Sequence, residues 1–228
     1  MEMMLRLILT AVMCFAPLVV SQAATQLVIW TFGAGADSFT TAPTAGAASG
    51  TAMLTLADGD LDANGKDGVA YTDIMGTSHD SGQSAAWNDV KVTGPDAEAI
   101  IRFSSLGYED LAMRFDYRSE GADFFDLAYS LNGTDFTQIV DNDPSIDVNW
   151  ALDGKPFGTV AVDLSGVASI QNTNTVYLRL DDLEEMDGND RFAFDNLEIT
   201  GEVIPEPQVV LLLGVSLLLG VVRRNRRC

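Results

Sequence analysis

The chain has 228 residues, of which 33 are acidic and 13 basic, and its formal net charge at pH 7 is −20. A surface this acidic offers no cationic patch to a phosphate backbone, which argues against nucleic acid and anionic lipid as partners. The two cysteines, Cys14 and Cys228, lie near the two ends of the chain. No disulfide can therefore form within residues 24–227, and the domain must be stabilised by its hydrophobic core.

The first 23 residues have the pattern of a secretory signal peptide. A single basic residue, Arg6, precedes the apolar run Leu7–Val20, and the small residues Ser21 and Ala23 suit signal peptidase. We expect an N-terminal signal helix that is removed after Ala23. The mature chain is then exported.

Residues 24–201 consist of short strand-like segments separated by Gly, Asn, Asp and Pro. In the stretch LAMRFDYRS, which starts at Leu111, apolar and polar residues alternate as on a strand with one buried face. The Asn132-Gly133 pair between two alternating runs predicts a hairpin. The further strand candidates are Leu27–Phe32, Ala52–Leu56, Trp87–Val92, Ile100–Ser104, Phe125–Leu131, Thr159–Leu164, Val176–Leu180 and Phe192–Ile199.

These strands predict a single all-β domain, an antiparallel two-sheet sandwich of the jelly-roll kind, because no long 3.6-residue period competes with them. The stretch of small residues Thr40–Ala52 has too little apolar bulk for a core strand, and we expect a loop or cover there.

The first acidic segment, DGDLDANGKDG, places three oxygen-bearing side chains at alternate positions, Asp60, Asp62 and Asn64. Together with Gly65 they match the first half of an EF-hand calcium loop, in which alternate oxygens point at the ion. The last position of such a loop is a bidentate Glu, but this chain has Tyr71 there. The segment is either a calcium loop on a β-scaffold or a solvated Asp/Gly turn.

The second acidic segment, DDLEEMDGNDRFAFDN, is dense enough in carboxylates to require a cation or full solvation. We predict calcium ligands at Asp187, Asn189, Asp190 and Asp195. The alternation of apolar residues changes parity after Phe194, which predicts a β-bulge. The bulge either directs Asp195 toward a ligand or is a purely structural kink.

The aromatic and histidine residues suggest sugar stacking more than catalysis. His79 is the only histidine and no Gly-x-Ser-x-Gly motif accompanies it, so we expect a loop histidine with local hydrogen bonds. Trp30 lies in an apolar run and is predicted to be core. Trp87 and Trp150 have polar neighbours and are the candidates for stacking on a sugar ring, the alternative being that they fill the core.

The C-terminal tail, residues 202–228, contains a short apolar run, Val209–Val222, followed by arginines. As a helix this run is about 21 Å long, a marginal span for a hydrocarbon core of about 30 Å. The arginines would stay cytoplasmic. Pro205 and Pro207 prevent a helix ahead of the run, so Glu206 lies in an extended, accessible peptide.

This tail resembles the PEP-CTERM sorting signal. The resemblance rests on three parts in order: the Pro-Glu-Pro motif, the apolar run and an arginine cluster, formed by Pro205, Glu206, Pro207, Arg223, Arg224, Arg226 and Arg227. It implies that a membrane-embedded exosortase recognises the tail, cuts near the motif and passes the protein to the exterior, in bacteria that make exopolysaccharide. The terminal Cys228 departs from the pattern. The alternative is a plain single-span anchor with no processing.

A second resemblance covers Leu111–Gly201, where LAMRFDYRSEGADFFDLAYSLNGTDFTQI and VYLRLDDLEEMDGNDRFAFDNLEITG are similar to lectin-like or galactose-binding-like jelly rolls of secreted bacterial proteins. It implies carbohydrate binding. We therefore expect a non-enzymatic protein, held in the membrane before processing and then at the cell surface or in the extracellular matrix, with a calcium-stabilised jelly roll that binds exopolysaccharide. The alternatives are a secreted glycoside hydrolase or lyase and a purely structural matrix component.

Overall fold

The computed structural model describes residues 23–32, 40–57, 60–61, 66–67, 70–79, 83–89, 98–120, 126–140, 157–181 and 191–205. Within these ranges the chain forms strands and one 3₁₀ turn, η1 (Ala168–Ile170), and no α-helix. The strands are β1 Thr25–Trp30, β2 Thr40–Thr41, β3 Met53–Ala57, β4 Asp60–Leu61, β5 Lys66–Asp67, β6 Tyr71–Thr72, β7 Ser78–His79, β8 Gln83–Asp89, β9 Glu98–Phe103, β10 Tyr108–Glu120, β11 Asp126–Ser130, β12 Thr137–Val140, β13 Gly158–Asp163, β14 Val176–Asp181 and β15 Arg191–Val203.

The strands form two main sheets in which every pair is antiparallel. Sheet A has the order β13-β10-β15-β8-β4, with β1 also paired to β15 and β5 to β8. Sheet B has the order β12-β11-β14-β9-β3-β2. A separate two-stranded hairpin consists of β6 and β7. Long strands that follow one another in sequence mostly alternate between the sheets.

Each strand candidate from the sequence overlaps an observed strand. The alternation starting at Leu111 is confirmed, because Leu111, Met113 and Phe115 are all fully buried on one face of β10. The hairpin predicted at Asn132-Gly133 is also confirmed, and it joins β11 to β12. Its loop is longer than a two-residue turn, since β11 ends at Ser130 and β12 begins at Thr137. Within the loop, Asn132 Oδ1 accepts hydrogen bonds from the backbone N–H groups of Thr134 and Asp135.

The core lies between the inner faces of sheets A and B. Sheet A contributes Trp30, Phe115 and Phe194, while sheet B contributes Ile101 and Phe103, and all five side chains are buried in one continuous cluster. Burying a side chain of this size stabilises the fold by about 1.5–3 kcal/mol. The structure is therefore consistent with the predicted sandwich, and the prediction that Trp30 is a core residue is confirmed.

The predicted bulge in β15 is confirmed. Between Arg114 and Asp116 of β10, the pairing with β15 shifts register. Asn196 has a φ of 51°, a left-handed conformation that Asn tolerates better than most residues. Because of this extra residue, Phe194 and Leu197 are both buried in the core although they lie three positions apart, a spacing that would place them on opposite faces of a regular strand.

The small-residue stretch that follows β2 covers the free edge of β1. Thr44, Ala45, Ala47 and Ala48 exchange backbone hydrogen bonds of 2.7–3.0 Å with β1 residues. The prediction of a loop or cover holds for these residues, whereas Thr40 and Thr41 form the short edge strand β2 of sheet B. A covered edge cannot pair with another chain.

Both helices predicted at the ends, the signal helix and the membrane helix 209–222, lie outside the described residues. Over the part of the chain that the structure describes, no helix is long and apolar enough to cross a bilayer.

Candidate functional site

The outer face of sheet A, which points away from the core, carries three cross-strand rows of side chains. Each row takes one residue from β13, one from β10 and one from β15, because these strands are neighbours in the sheet. The rows are Asp163, Ala112 and Thr200; Ala161, Arg114 and Glu198; and Thr159, Asp116 and Asp195.

A groove of about 500 Å³ lies over the first two rows. The small side chains of Ala112 and Ala161 leave space at the floor of the groove, and larger side chains surround them. The residues that line it are Ile74, Ala112, Met113, Arg114, Ala161, Val162, Asp163, Glu198 and Thr200. A mostly apolar lining with a few charged groups is typical of small-ligand sites.

Asp116 is the centre of the polar network beside the groove. Its Oδ1 accepts hydrogen bonds from Arg114 Nη2 (3.0 Å) and Thr159 Oγ1 (2.6 Å), and its Oδ2 accepts one from Asn196 Nδ2 (3.0 Å). The Asp116 side chain is almost fully buried, whereas about a third of the Arg114 side chain is exposed. Asp116 therefore holds the Arg114 guanidinium in place at the groove.

Glu198 is buried beneath the groove and links β15 to β1 and to the β6–β7 hairpin. Its Oε1 accepts hydrogen bonds from Gln26 Nε2 of β1 (2.7 Å) and from the backbone N–H of Ile74 (3.3 Å). Since a buried carboxylate is costly without partners, these bonds are what permit Glu198 in this position. The bond to Ile74 holds the tip of the β6–β7 hairpin against the groove.

The tip of that hairpin forms one wall of the groove. Asp73 closes the turn, because its Oδ1 accepts a hydrogen bond from the N–H of Thr77 (2.8 Å). The backbone N–H of Asp73 donates to the Thr77 carbonyl, and the N–H of Gly76 donates to the Asp73 carbonyl. Gly76 has a φ of 80°, which glycine adopts without a steric cost. The turn therefore presents Ile74 as a fixed apolar edge of the groove.

Asp163 contributes an exposed carboxylate to the groove. Hydrogen bonds from the Ser165 side chain and from the Ser165 backbone N–H hold the pKa of Asp163 below its usual value of 3.8. The group therefore stays ionised at neutral and mildly acidic pH, and a ligand hydroxyl in the groove would meet a charged acceptor there.

The predicted calcium ligands fall mainly outside the described residues. Asp62, Asn64, Asp187, Asn189 and Asp190 are not described, and Asp60 is placed only as backbone in β4. Asp195 is described: it is buried in β15 and its Oδ1 accepts a hydrogen bond from the N–H of the next residue (2.8 Å). The described ranges contain no group of three or more His, Cys, Asp or Glu residues that could hold a metal ion. Calcium binding stays a prediction.

The other predicted site residues are placed only in part. Trp87 lies in β8, where its backbone pairs with Phe192 of β15. The structure does not describe the side chain of Trp87 or any part of Trp150. Of the sorting motif, Pro205 is described and exposed, directly after the end of β15. Glu206, Pro207, Arg223, Arg224, Arg226 and Arg227 lie beyond the described residues. His79 is the last residue of β7 and pairs with Tyr71.

Sequence reasoning missed the groove because its polar residues come from segments far apart in the chain. Arg114, Asp163 and Glu198 are unremarkable polar positions on three alternating strands. The available signal was a pattern of small and charged outward positions, as in the VAVD of β13 and the LEIT of β15. Only the register of the three strands brings these positions together.

No family model matches the chain, and no curated protein matches it. Solved structures do resemble it. A family 61 carbohydrate-binding module in complex with β-1,4-galactotriose shares 8% identity, with a TM-score of 0.37, over 65% of this chain and 88% of that one. The carbohydrate-binding and catalytic modules of xylanase 10B from Clostridium thermocellum, complexed with xylohexaose, share 12% identity, with a TM-score of 0.42, over 79% of this chain and 29% of that one.

A cleaved adhesin domain of Lys-gingipain from Porphyromonas gingivalis shares 14% identity, with a TM-score of 0.38, over 78% of this chain and 98% of that one. The structural neighbours thus include carbohydrate-binding modules and adhesin domains. Likenesses at these TM-scores identify no family for the chain. What the chain's own structure defines is an all-β protein of two antiparallel sheets with a groove on the outer face of sheet A.

Proposed function

We propose that this protein is exported through its signal peptide, sorted by the PEP-CTERM tail to the cell surface or extracellular matrix, and binds a saccharide in the groove of its jelly roll. The partners are signal peptidase, an exosortase-type membrane protease and an exopolysaccharide. The protein has no catalytic role in this proposal.

Support for the sorting part comes from the sequence of the tail and from where the tail begins. Strand β15 ends at Val203, and the N–H of Ile204 still bonds to the Gly107 carbonyl (2.9 Å). Pro205 is then exposed. The motif thus begins at the surface of the domain, where a protease in the membrane can reach it.

The groove is the observation that carries the binding part. A sugar ring has an apolar C–H face and a rim of hydroxyls, and the groove supplies an apolar floor beside charged donors and acceptors. Arg114 can donate to ring hydroxyls, while Asp163 and Thr200 can accept from them. The volume of about 500 Å³ suits a ligand of one or two sugar rings. The net charge of −20 favours a neutral saccharide.

A bulky residue placed in the groove tests this proposal. Ala161 is exposed on the edge strand β13 and lines the groove, so Ala161→Trp fills the groove without entering the core. Thr137→Trp is the matched control, since Thr137 is exposed on β12, the edge strand of sheet B. We expect Ala161→Trp to weaken binding to the best polysaccharide of a glycan screen about tenfold or more, a loss of about 1.4 kcal/mol.

The control should bind like the unmodified protein in the same affinity electrophoresis or calorimetry. Loss of binding in Trp87→Ala or Trp150→Ala alone, with Ala161→Trp unaffected, would place the saccharide at the tryptophans and not in the groove. Binding to no glycan in the screen would favour the purely structural matrix component.

The second candidate function is that of a glycoside hydrolase or lyase, because two carboxylates, Asp163 and Glu198, line one groove. Such enzymes use a pair of carboxylates about 5–9.5 Å apart. Glu198 is buried, however, and its Oε1 is already engaged by Gln26 and by the Ile74 N–H, so a substrate reaches that oxygen only by displacing them. Release of new reducing ends from a bound polysaccharide, lost in Asp163→Asn and in Glu198→Gln, would establish the enzyme instead.

A further inference from the structure

Exposed apolar side chains collect at one end of the sandwich. Among the described residues, six large apolar side chains are exposed, and four of them, Met53, Leu106, Leu131 and Val203, lie where strands begin or end on the same side. We call this side the exit end, because the chain leaves the domain there after Val203. Single exposed apolar residues are ordinary, but a group of them marks an interaction surface.

The pairing registers place these four residues near one another. Met53 pairs with Arg102 of β9, and Val203 pairs with Tyr108 of β10. Leu106 lies in the turn between β9 and β10, which crosses from sheet B to sheet A. Leu131 follows β11, and β11 lies three strand spacings, about 14 Å, from β3 in sheet B. Packed sheets are about 10 Å apart. The four residues therefore lie at one end of the sandwich, in a patch about 14 Å by 10 Å across, and the turn that carries Leu106 bridges the two sheets there.

Leu106 is held outward by an ordered turn. Ser105 beside it is fully buried, and its Oγ donates to the Ile170 carbonyl (2.6 Å). On the other side, the N–H of Gly107 donates to Asn172 Oδ1 (2.8 Å). With both neighbours fixed, the Leu106 side chain points to solvent at 56% exposure. A fixed apolar projection is ready to contact a partner without an ordering cost.

The length of chain beyond the domain indicates the partner. Ile204 is the last residue bonded to the domain, and the apolar run begins at Val209. Five residue steps separate Ile204 from Val209, and they span at most about 18 Å. If the run is embedded in the membrane before processing, as the sorting proposed above requires, the exit end lies within that distance of the bilayer surface.

The charges at the exit end indicate the kind of lipid. Glu109 and Asp110 follow the turn and are exposed, and Glu202 is half-buried beside them. These carboxylates repel the phosphate groups of anionic lipid, whereas zwitterionic headgroups carry no net charge. We propose that, in the tail-bearing protein, the exit end docks on the outer membrane leaflet, with Leu106 inserted among zwitterionic headgroups.

A fluorescent label at two positions tests the docking. The mature full-length chain, in a Cys228→Ser background, carries either Leu106→Cys or Met75→Cys labelled with an environment-sensitive dye. Met75 is the matched control, because it is exposed to 64% on the β6–β7 hairpin, which contacts Glu198. Glu198 is five residues before Val203 along β15, so the hairpin is about 17 Å from the exit end. Both proteins are reconstituted into phosphatidylcholine vesicles and floated on a density gradient.

The expected result is flotation of both proteins, with the dye at position 106 quenched by headgroup-labelled lipid at least about twofold more than the dye at position 75. Flotation with no quenching at position 106, or with equal quenching at both positions, overturns the docking and leaves the membrane anchor standing. Failure to float overturns the anchor, and the docking falls with it. A concentration-dependent shift of the 106 dye in detergent, without vesicles, would assign the patch to a second copy of the chain and overturn the lipid assignment.

Discussion

Ser105 shows how one buried hydroxyl can stabilise a connection between the two sheets. Its Oγ donates to the Ile170 carbonyl (2.6 Å) and accepts from the N–H of Thr173 (2.9 Å), and its own N–H donates to the Thr173 carbonyl (2.9 Å). The side chain has no exposure to water. Ser105 therefore joins the β9–β10 turn to the segment after η1, and no other residue type of its size supplies both a donor and two acceptor sites.

Replacing this hydroxyl should destabilise the protein more than replacing its neighbour. Ser105→Ala leaves the Ile170 carbonyl and the Thr173 N–H without this partner, and we expect the free energy of unfolding to fall by about 1–3 kcal/mol. Ser104→Ala is the control, with an expected change below about 0.5 kcal/mol, because Ser104 makes one weak exposed bond to Leu106 N (3.3 Å). Urea denaturation measures both values. Equal losses would contradict the role assigned to Ser105.

The bulge residue Asn196 combines a left-handed backbone with a buried side-chain bond to Asp116. We expect both Asn196→Gly and Asn196→Ala to lose that bond, but only the alanine variant to carry the cost of positive φ, about 1–2 kcal/mol. Asn196→Ala should therefore unfold at lower denaturant concentration than Asn196→Gly. The opposite order would mean that β15 relaxes out of the bulge, which the backbone amide shifts of the two variants would reveal.

At the scale of elements, β1 depends on the segment that covers its edge. Strand β1 pairs with β15 on one side, and the backbone of residues 44–48 bonds to its other side. The close approach requires glycine at position 46, because a Cβ there would lie 2.1 Å from the Leu27 carbonyl oxygen and its φ is 121°. The small residues that made this segment look featureless in the sequence are what let it lie against the strand.

Gly46→Ala should consequently destabilise the protein by more than about 3 kcal/mol, since the clash is with backbone and the φ is one that side chains rarely adopt. Gly50→Ala is the matched substitution in the same segment, where an added Cβ meets nothing within 4 Å. We expect it to change stability by less than about 1 kcal/mol, in the stabilising direction. Thermal melts of the two variants give the comparison. A melt of Gly46→Ala close to that of Gly50→Ala would show that the cover is dispensable.

At the scale of the whole molecule, the central question is how so acidic a chain stays compact. The core between the two sheets supplies the apolar burial, but a net charge of −20 destabilises the folded state by self-repulsion. Calcium in the two acidic segments, as the sequence predicts, would offset part of that repulsion. Of the predicted ligands, only the Asp195 side chain lies in the part of the chain that the structure describes.

We therefore expect calcium, but not magnesium, to raise the melting temperature of the mature chain relative to chelator. A site that binds only the folded state stabilises it by about 2.7 kcal/mol when free calcium is 100 times the Kd. Asp62→Asn and Asp187→Asn separate the two segments, since the shift should shrink in the variant that removes a true ligand. The absence of any shift would mean that these carboxylates are solvated surface groups.

The sequence by itself determined the longer strands, the hairpin at Asn132-Gly133 and the bulge in β15, because each depends on local alternation, turn chemistry or a change of parity within one segment. The sorting signals predicted at the two ends rest likewise on local sequence, and they stay predictions. Only the tertiary structure decided the groove, because Arg114, Asp163 and Glu198 meet through the registers of three strands far apart in the chain. It also decided the exit end, since no local pattern tells which strand ends lie side by side. Long-range pairing is set by how two whole sheets pack, and a single segment holds too little of that information.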